Sequence, residues 1–482
     1  MILVAFSFLV VGSSLFAGLI PVGAGNYAEQ RFLLCLVVWL AVCLCLGKYV
    51  AYRDHAAKIG WLPWLLPLII VFLSGEFYAA AYDVEPLMFA FFFLGCCLCA
   101  DHLSQSGSLS LQLGRILTVI ALLALIYGFI ALMNYGLALR DGNTEVDTTV
   151  TWGFPNIRYW SHLATWLIPL IAAAQRFGSL STLPVVRGLS VLAGSLWWWM
   201  LFSTSARGSA LGLLVGCLVV AVFFKRHTLD WLRSFGIQLL GGGTLWLLLT
   251  LILPWLFFGA ADLREIDADS AGRMPLWREA WEMSLVNFPF GMGPQSWLTH
   301  SIISDEYANS KSYGHPHNMY LLWAAEYGWI SLAALAIAVA GIMKSLLVRS
   351  SAYVEKGRDA TVMAGFTASV VAAGVHSGFS AVLMAPASML TGFLVLTLFL
   401  AMLQAPLQGD SQRLSVPARR LVRLSAGFAL LAVLAVGPLW IQEVWRYYQD
   451  NLEDRLTYKG QGSIYSPRFW SHGDFPRQRS AD

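Results

Sequence analysis

Residues 116–138 read ILTVIALLALIYGFIALMNYGLA and carry no charged side chain, with Arg115 and Arg140 close to either end. A run of about 20 apolar residues is long enough for an α-helix to cross the hydrocarbon core of a bilayer. In lipid the backbone groups must be satisfied within the segment, which a helix achieves and a lone strand does not. This stretch therefore predicts a transmembrane helix.

The rest of the chain repeats this pattern. Of its 482 residues, 57% are hydrophobic and only 12% are charged, whereas a soluble chain carries roughly a quarter charged residues. This composition excludes a water-soluble multidomain enzyme, a disordered protein and a nucleic-acid-binding protein. We predict an all-α polytopic integral membrane protein with 12 or 13 transmembrane helices. The apolar runs lie at residues 2–22, 31–47, 62–80, 86–100, 116–138, 160–174, 189–203, 208–224, 236–258, 318–343, 361–382, 386–405 and 424–441.

The distribution of Lys and Arg predicts the orientation, because short cytoplasmic loops carry an excess of these residues. One set of alternate loops holds seventeen basic and six acidic residues, and we predict that this set is cytoplasmic. The N-terminus then lies inside. With thirteen spans the tail lies in the periplasm, and with twelve it lies in the cytoplasm. The basic set comprises residues 48–61, 101–115, 175–188, 225–235, 344–360 and 406–423.

The same arithmetic predicts the organisation of the chain. Residues 1–258 form nine transmembrane helices, and residues 259–317 form one large periplasmic loop that contains an amphipathic helix. Residues 318–441 form transmembrane helices 10–13, and residues 442–482 are the C-terminal tail, which we expect in the periplasm. A loop this long inside a compact protein is usually functional.

Polar residues cluster in four places on the predicted outer side. Arg207 is the most informative, since a short turn between two apolar helices does not need an arginine, and an arginine near hydrocarbon is costly without a partner. It is either an interfacial side chain that reaches the lipid headgroups or an anion ligand acting with backbone N–H groups. The clusters are Asn156 with Arg158, the turn at residues 203–209 with Arg207, residues 270–278 with Arg273 and Arg278, and His315-Pro316-His317-Asn318 followed by Glu326.

The other arginines each have two readings. Arg273 and Arg278 either bind an anion or form the solvated face of the amphipathic helix at residues 274–286. The apolar face of that helix is predicted from the spacing of Leu276, Ala280 and Met283. Arg158 is either an anion ligand or a charge at the membrane boundary.

His317 stands where an outer loop becomes a helix. It either begins that helix with a hydrogen bond to the backbone or acts as a general base, since an imidazole titrates near neutral pH. His315 is the second candidate for the base. Asp267 and Asp269 have the spacing of a weak Mg²⁺ or Mn²⁺ pair, but an acidic loop yields such a pair often. We predict no metal and no cofactor.

These four clusters, in this order, resemble the bacterial O-antigen ligase/polymerase superfamily, which includes O-antigen ligases, O-linked protein (pilin) oligosaccharyltransferases and O-antigen polymerases. The family signature of His, then Asn, Ser or Gln, nine residues and a Gly-rich pair resembles His317-Asn318 followed by Gly328, with Ser331 where Gly is common. Residues 205–208 resemble its Ser-Arg-Gly element, and residues 270–293 resemble the start of its large loop. Residues 156–169 are more similar to the pilin-glycosylating branch.

The resemblance implies a GT-C-like, metal-independent glycosyltransferase in the bacterial inner membrane, with its active site facing the periplasm. It implies transfer of a glycan en bloc from undecaprenyl pyrophosphate to an acceptor hydroxyl. His317 is then the catalytic base, and Arg207, Arg273 and Arg158 bind the pyrophosphate. The secondary candidates for site residues are His315, Asn318, Arg278, Glu326 and Asn156.

The acceptor is a pilin, the lipid A core or a growing glycan, and the aromatic tail residues Tyr465, Phe469 and Trp470 favour a protein. A lipid-glycan flippase or transporter is the alternative from another class. Transporters hold ionisable groups near the bilayer midplane and often contain repeats. Here the charges gather at one face and no repeat is present, so we expect a transferase.

Overall fold

The computed structural model describes residues 2–19, 26–51, 60–78, 84–143, 149–177, 183–259, 272–310, 313–357, 359–405, 416–457 and 468–469. The described residues are almost all helical and include no strand. Asp267, Asp269, Tyr465 and Trp470 lie outside them. The helices are α1 Ile2–Phe16, α2 Asn26–Ala51, α3 Leu62–Ser74, α4 Glu85–Ser104, α5 Leu109–Arg140, α6 Ile157–Ala174, α7 Pro184–Ser203, α8 Arg207–Phe224, α9 Leu229–Leu245, α10 Leu253–Phe258, α11 Arg273–Val286, α12 Ser296–Thr299, α13 Asp305–Ala308, α14 Met319–Tyr327, α15 Trp329–Glu355, α16 Thr361–Ser377, α17 Pro386–Gln404 and α18 Val416–Thr457.

Within the described residues, nine helical stretches are long and apolar enough to cross a membrane. The longest, Arg207–Phe258, contains more than one helix, because Lys225 at φ +51° ends α8 before a 3-10 turn, Lys225–Thr228, leads into α9. Leu62–Phe77 and Thr361–Ser377 are shorter apolar helices. The protein is therefore an all-α polytopic membrane protein, as the composition predicts.

The apolar run at residues 318–343 differs from the single helix that the sequence predicts. It is divided between α14 and α15 by Gly328, which has φ +79°. A side chain at this position would collide with the carbonyl oxygen of Pro289. Glycine is thus needed here both for the positive φ and for the close approach of the backbone. Hydropathy does not reveal the break, since both helices are apolar.

The first of two compact units comprises Met1–Val22, Gly107–Ala268 and Leu347–Val395. Within it α8 packs against α16, and α6 packs against both. Gly212 and Gly216 of α8 lie directly on the backbone carbonyls of Ala372 and Ala368. Small residues spaced by four let membrane helices approach this closely. The core of this unit contains the fully buried indoles of Trp160, Trp166, Trp197, Trp199 and Trp231.

The second unit comprises Gly23–Ser106, Asp269–Leu346 and Leu396–Asp482. Here α18 packs against α2, α2 and α3 pack against α4, and α11 packs against α14. Trp323 and Tyr327 of α14 meet Phe72 of α3 edge to face, at ring-centroid distances of 5.3 and 4.9 Å. Such aromatic pairs add to the burial of their large apolar area. They fix the short helix that follows His317.

Candidate functional site

In the first unit, two of the predicted arginines begin neighbouring helices. Arg158 is the second residue of α6 and Arg207 the first residue of α8. The Ser209 hydroxyl donates to the carbonyl of Ser161 over 3.0 Å, which joins the first turns of these two helices. Helix N-termini carry unpaired N–H groups and partial positive charge. This end of the unit therefore suits an anion.

The turn that carries Arg207 packs closely against the ring of His376. Ser205 has φ +51°, and its carbonyl accepts a 2.8 Å hydrogen bond from the N–H of Arg207. A Cβ at Gly208 would lie 2.7 Å from Cδ2 of His376. Nδ1 of His376 lies 2.9 Å from the hydroxyl of Thr165. The sequence prediction missed His376, whose only signal is an imidazole within an apolar run.

In the second unit, His317 occupies a backbone conformation that is rare for a residue with a side chain. Its φ is +58°, and its N–H donates to Nδ1 of His315 over 3.0 Å. The His317 ring lies 4.3 Å from the ring of His315 and 5.0 Å from that of Tyr313, measured between centroids. Both histidines are only 5% exposed. Left-handed non-glycine residues cost energy and concentrate at functional sites.

The two histidines have different roles in this turn. Since Nδ1 of His315 accepts a hydrogen bond from the backbone, a neutral His315 carries its proton on Nε2. His315 thus helps to hold the backbone of His317. This arrangement favours His317 over His315 as the reactive group.

Asn156 and Asn318 are both N-caps. The Asn156 side chain accepts from the N–H of Arg158 at 2.9 Å, and the Asn318 side chain accepts from the N–H groups of Tyr320 and Leu321 at 3.0 and 3.1 Å. Capping side chains satisfy the donors that a helix leaves open at its start. Each asparagine therefore fixes the first turn of the helix beside a candidate residue.

The two arginines of α11 have different surroundings. Arg273 is half-buried and is the first residue of the helix, after Gly272 at φ +69°. Arg278 is exposed and pairs with Glu282 at 3.2 Å and Glu306 at 2.7 Å. These glutamates raise the pKa of Arg278, Glu282 most strongly through its hydrogen bond. The contacts favour the solvated-face reading for Arg278 and leave Arg273 as the anion candidate.

The opposite face of α11 buries Leu276, Ala280 and Met283 together with Glu279. The Glu279 carboxylate accepts from Nε2 of His300 at 2.8 Å, from the N–H groups of Ile303 and Ser304 at 2.8 Å, and from the Ser304 hydroxyl at 2.6 Å. Burial opposes its charge, but these hydrogen bonds outweigh burial and lower its pKa. Glu279 thus holds residues 300–304 on α11.

The loop at residues 291–293 contacts the end of α14 at Gly328 in the second unit. The N–H groups of Met292 and Gly293 donate to the carbonyls of Ala325 and Glu326 at 2.8 and 2.9 Å. Gly291 has φ +77°, and a Cβ on it would lie 2.5 Å from the nitrogen of Gly328. The loop therefore closes onto the end of α14.

Glu326 lies in a buried ion cluster that the sequence did not predict. Its carboxylate accepts from Nη1 and Nη2 of Arg468 at 3.0 and 2.8 Å. Arg468 also donates from Nε and Nη2 to Glu85, at 3.1 and 2.7 Å. The backbone N–H of Trp297 donates to Glu326 at 3.1 Å. The separation of Arg468 from its partners along the chain left no local signal for these pairs.

Comparison with known protein families matches residues 191–336 to the sequence model of the O-antigen ligase family. No curated protein and no solved structure matches the chain. The matched segment contains Arg207, Arg273 and His317 and ends beyond Gly328. This match over residues 191–336 supports a relationship of the chain to the O-antigen ligase superfamily, whose members are lipid-linked glycan transferases.

Proposed function

We propose that the protein moves a glycan en bloc from undecaprenyl pyrophosphate to an acceptor hydroxyl at the periplasmic face of the bacterial inner membrane. The observation that supports this best is the His317 turn. A nearly buried imidazole is held at φ +58° against His315 and directly before the capped helix α14. It lies within the segment that matches a family of lipid-linked glycan transferases.

In the proposed reaction, one ring nitrogen of His317 takes the proton of the acceptor hydroxyl. The acceptor oxygen forms a bond to the anomeric carbon as the bond from that carbon to the phosphate oxygen breaks. The electron pair leaves with the lipid pyrophosphate. General-base assistance of this kind contributes about 10²–10⁴-fold.

Arg207, Arg273 and Arg158 are proposed to bind the pyrophosphate. All three lie within the first two residues of a helix, where a cation is opposed by the helix dipole. A bound anion would be attracted by both the arginine and the helix N-terminus, which offsets the repulsion between these two. Guanidinium–phosphate bonds would stabilise the charge that grows on the leaving group. Arg207→Ala should therefore abolish transfer while the protein still inserts into the membrane, and near-wild-type transfer would contradict this role.

We propose a pilin serine or threonine as the acceptor, from the similarity of residues 156–169 to the pilin-glycosylating branch. The alternatives are the lipid A core and a growing O-antigen chain. Cells that contain this protein, a lipid-linked glycan and a pilin should yield pilin with the intact mass increased by one glycan. An unmodified pilin beside modified lipid A core or lengthened glycan would instead indicate a ligase or a polymerase.

Two further experiments separate the remaining alternatives. Transfer should continue in EDTA, because the proposed reaction uses no metal, and loss that added Mg²⁺ or Mn²⁺ restores would contradict this. Reconstituted protein that moves labelled lipid-linked sugar across a bilayer without transferring it would indicate a flippase.

A further inference from the structure

The C-terminal tail contributes a side chain to the interior of the second unit. Arg468 and Glu85 are fully buried, and Glu326 is 1% exposed. In the Arg468 guanidinium, Nε donates to Glu85, Nη1 donates to Glu326, and Nη2 donates to both carboxylates. Paired hydrogen bonds of this kind combine charge with fixed geometry. Arg468 is therefore buried and fixed by direct hydrogen bonds to both carboxylates.

The next residue, Phe469, is held by contacts of its own. The Phe469 ring lies 4.3 Å from the guanidinium carbon of Arg31, which is fully buried, and 5.0 Å from the ring of Tyr447. Its carbonyl accepts from Nε2 of Gln295 at 2.7 Å. Phe469 thus contacts α2, α18 and the loop before α12.

Arg468 compensates the negative charge of the Glu85 and Glu326 carboxylates. With all three groups ionised, two carboxylates and one guanidinium carry one net negative charge. Without Arg468, two buried carboxylates would lose their shared guanidinium partner, and an unpaired buried charge is strongly unfavourable. Burial opposes the charge of Arg468, but the carboxylates of Glu326 and Glu85 outweigh it and raise the pKa of Arg468.

Glu326 connects this cluster to the His317 turn. It lies near the end of α14, and the turn lies directly before the start of the same helix. From Met319 to Glu326, seven steps at 1.5 Å per residue span roughly 10 Å of helix. The Glu326 carboxylate also accepts from Trp297, and its carbonyl accepts from Gly293. Arg468 therefore fixes both α14 and the loop that closes onto it.

We propose that Arg468 is a positioning residue for glycan transfer: its contacts with Glu326 hold the end of α14 and, through this helix, the orientation of His317. The inference rests on the proposed function, since it assigns Arg468 to the same reaction. Arg468 touches neither donor nor acceptor in this account. Its loss should lower kcat and leave the KM for the donor nearly unchanged.

The first test compares Arg468→Met with Arg446→Met in the full chain. Arg446 is the matched control, because it forms an exposed pair with Glu443 at 3.5 Å. We expect kcat to fall at least about tenfold in Arg468→Met, the change that 1.4 kcal/mol produces, and to stay at the wild-type value in Arg446→Met. Arg468→Lys should recover part of the loss, because lysine keeps the charge without the fork of donors.

A second set of variants separates positioning from folding. Arg468→Met combined with Glu85→Gln restores the net charge of the cluster but not the contact with α14, so it should accumulate to a higher level than Arg468→Met alone and still transfer slowly. Arg468→Met combined with Glu326→Gln should be no slower than Arg468→Met alone, since both changes break the same contact. Glu85→Gln alone keeps the contact between Arg468 and Glu326 and should be the mildest variant.

A wild-type kcat in Arg468→Met, or in its combination with Glu85→Gln, would overturn the inference, and so would additive losses for Arg468→Met and Glu326→Gln. Failure of the proposed function has a different signature. In that case the wild type and Arg446→Met would both transfer no glycan to any acceptor, and the inference would fall with it.

Discussion

Gly212 provides a direct test of the packing that sets the start of α8, where Arg207 lies. An alanine Cβ at this position would lie 2.5 Å from the carbonyl oxygen of Ala372, whereas ordinary contact begins at 3.4 Å. The helices α8 and α16 would have to separate by about 0.9 Å at this point. Overpacking costs about 1–3 kcal/mol, and replacing glycine by alanine in a helix gains about 1 kcal/mol.

The clash should decide the sign, because the obstructing atom is a backbone carbonyl in a second helix and does not rotate away. We expect Gly212→Ala to lower the free energy of unfolding by up to about 2 kcal/mol, measured by thermal unfolding in one detergent. Gly236→Ala in α9 is the matched control, since a Cβ there meets nothing within 4 Å. It should be neutral or stabilising. If Gly212→Ala proves as stable as Gly236→Ala, the close packing of α8 on α16 is wrong.

Three other predictions concern the second unit. Because the hydrogen bonds of Glu279 hold its pKa below the ordinary value of 4.5, its stabilisation is complete above that value and is lost as pH falls through the lower folded-state pKa. The difference in thermal stability between the wild type and Glu279→Gln should therefore shrink below about pH 4.5, and a difference that does not depend on pH would refute this. Asn318→Ala should cost about 1 kcal/mol of stability whereas Asn318→Asp keeps the cap acceptor; equal losses in thermal unfolding would argue against capping. Arg278→Ala should keep transfer within about twofold of wild type, because an exposed ion pair contributes little, and a tenfold loss would return Arg278 to the anion site.

The helices could be predicted because each depends on a local property. The run at residues 116–138 is long and uncharged, and it lies inside α5, Leu109–Arg140. The amphipathic helix of the loop was predicted from the spacing of Leu276, Ala280 and Met283, and all three are buried in α11. Length and periodicity were sufficient in both cases, since neither requires knowledge of a distant partner.

The parts that escaped prediction depend on contacts between distant residues. Glu326 is a candidate in the sequence only because it follows the His317 cluster along the same helix, and its partner Arg468 lies 142 residues away. The break at Gly328 depends on the approach of Pro289 and Gly291 from the loop. The left-handed backbone of His317 depends on the side chain of His315 and the capped helix beyond it. Such features are set by tertiary packing, which hydropathy and motif spacing do not encode.

His317 is proposed as the general base of glycan transfer. The most direct measurement is the initial rate at which purified His317→Ala transfers glycan to the acceptor, relative to wild type and to His102→Ala. His102 is a suitable control, since it lies at the end of α4 and its Nε2 is 2.8 Å from Nζ of Lys48. We expect a loss of about 10²–10⁴-fold for His317→Ala and a wild-type rate for His102→Ala. A His317→Ala rate close to that of wild type would contradict this role.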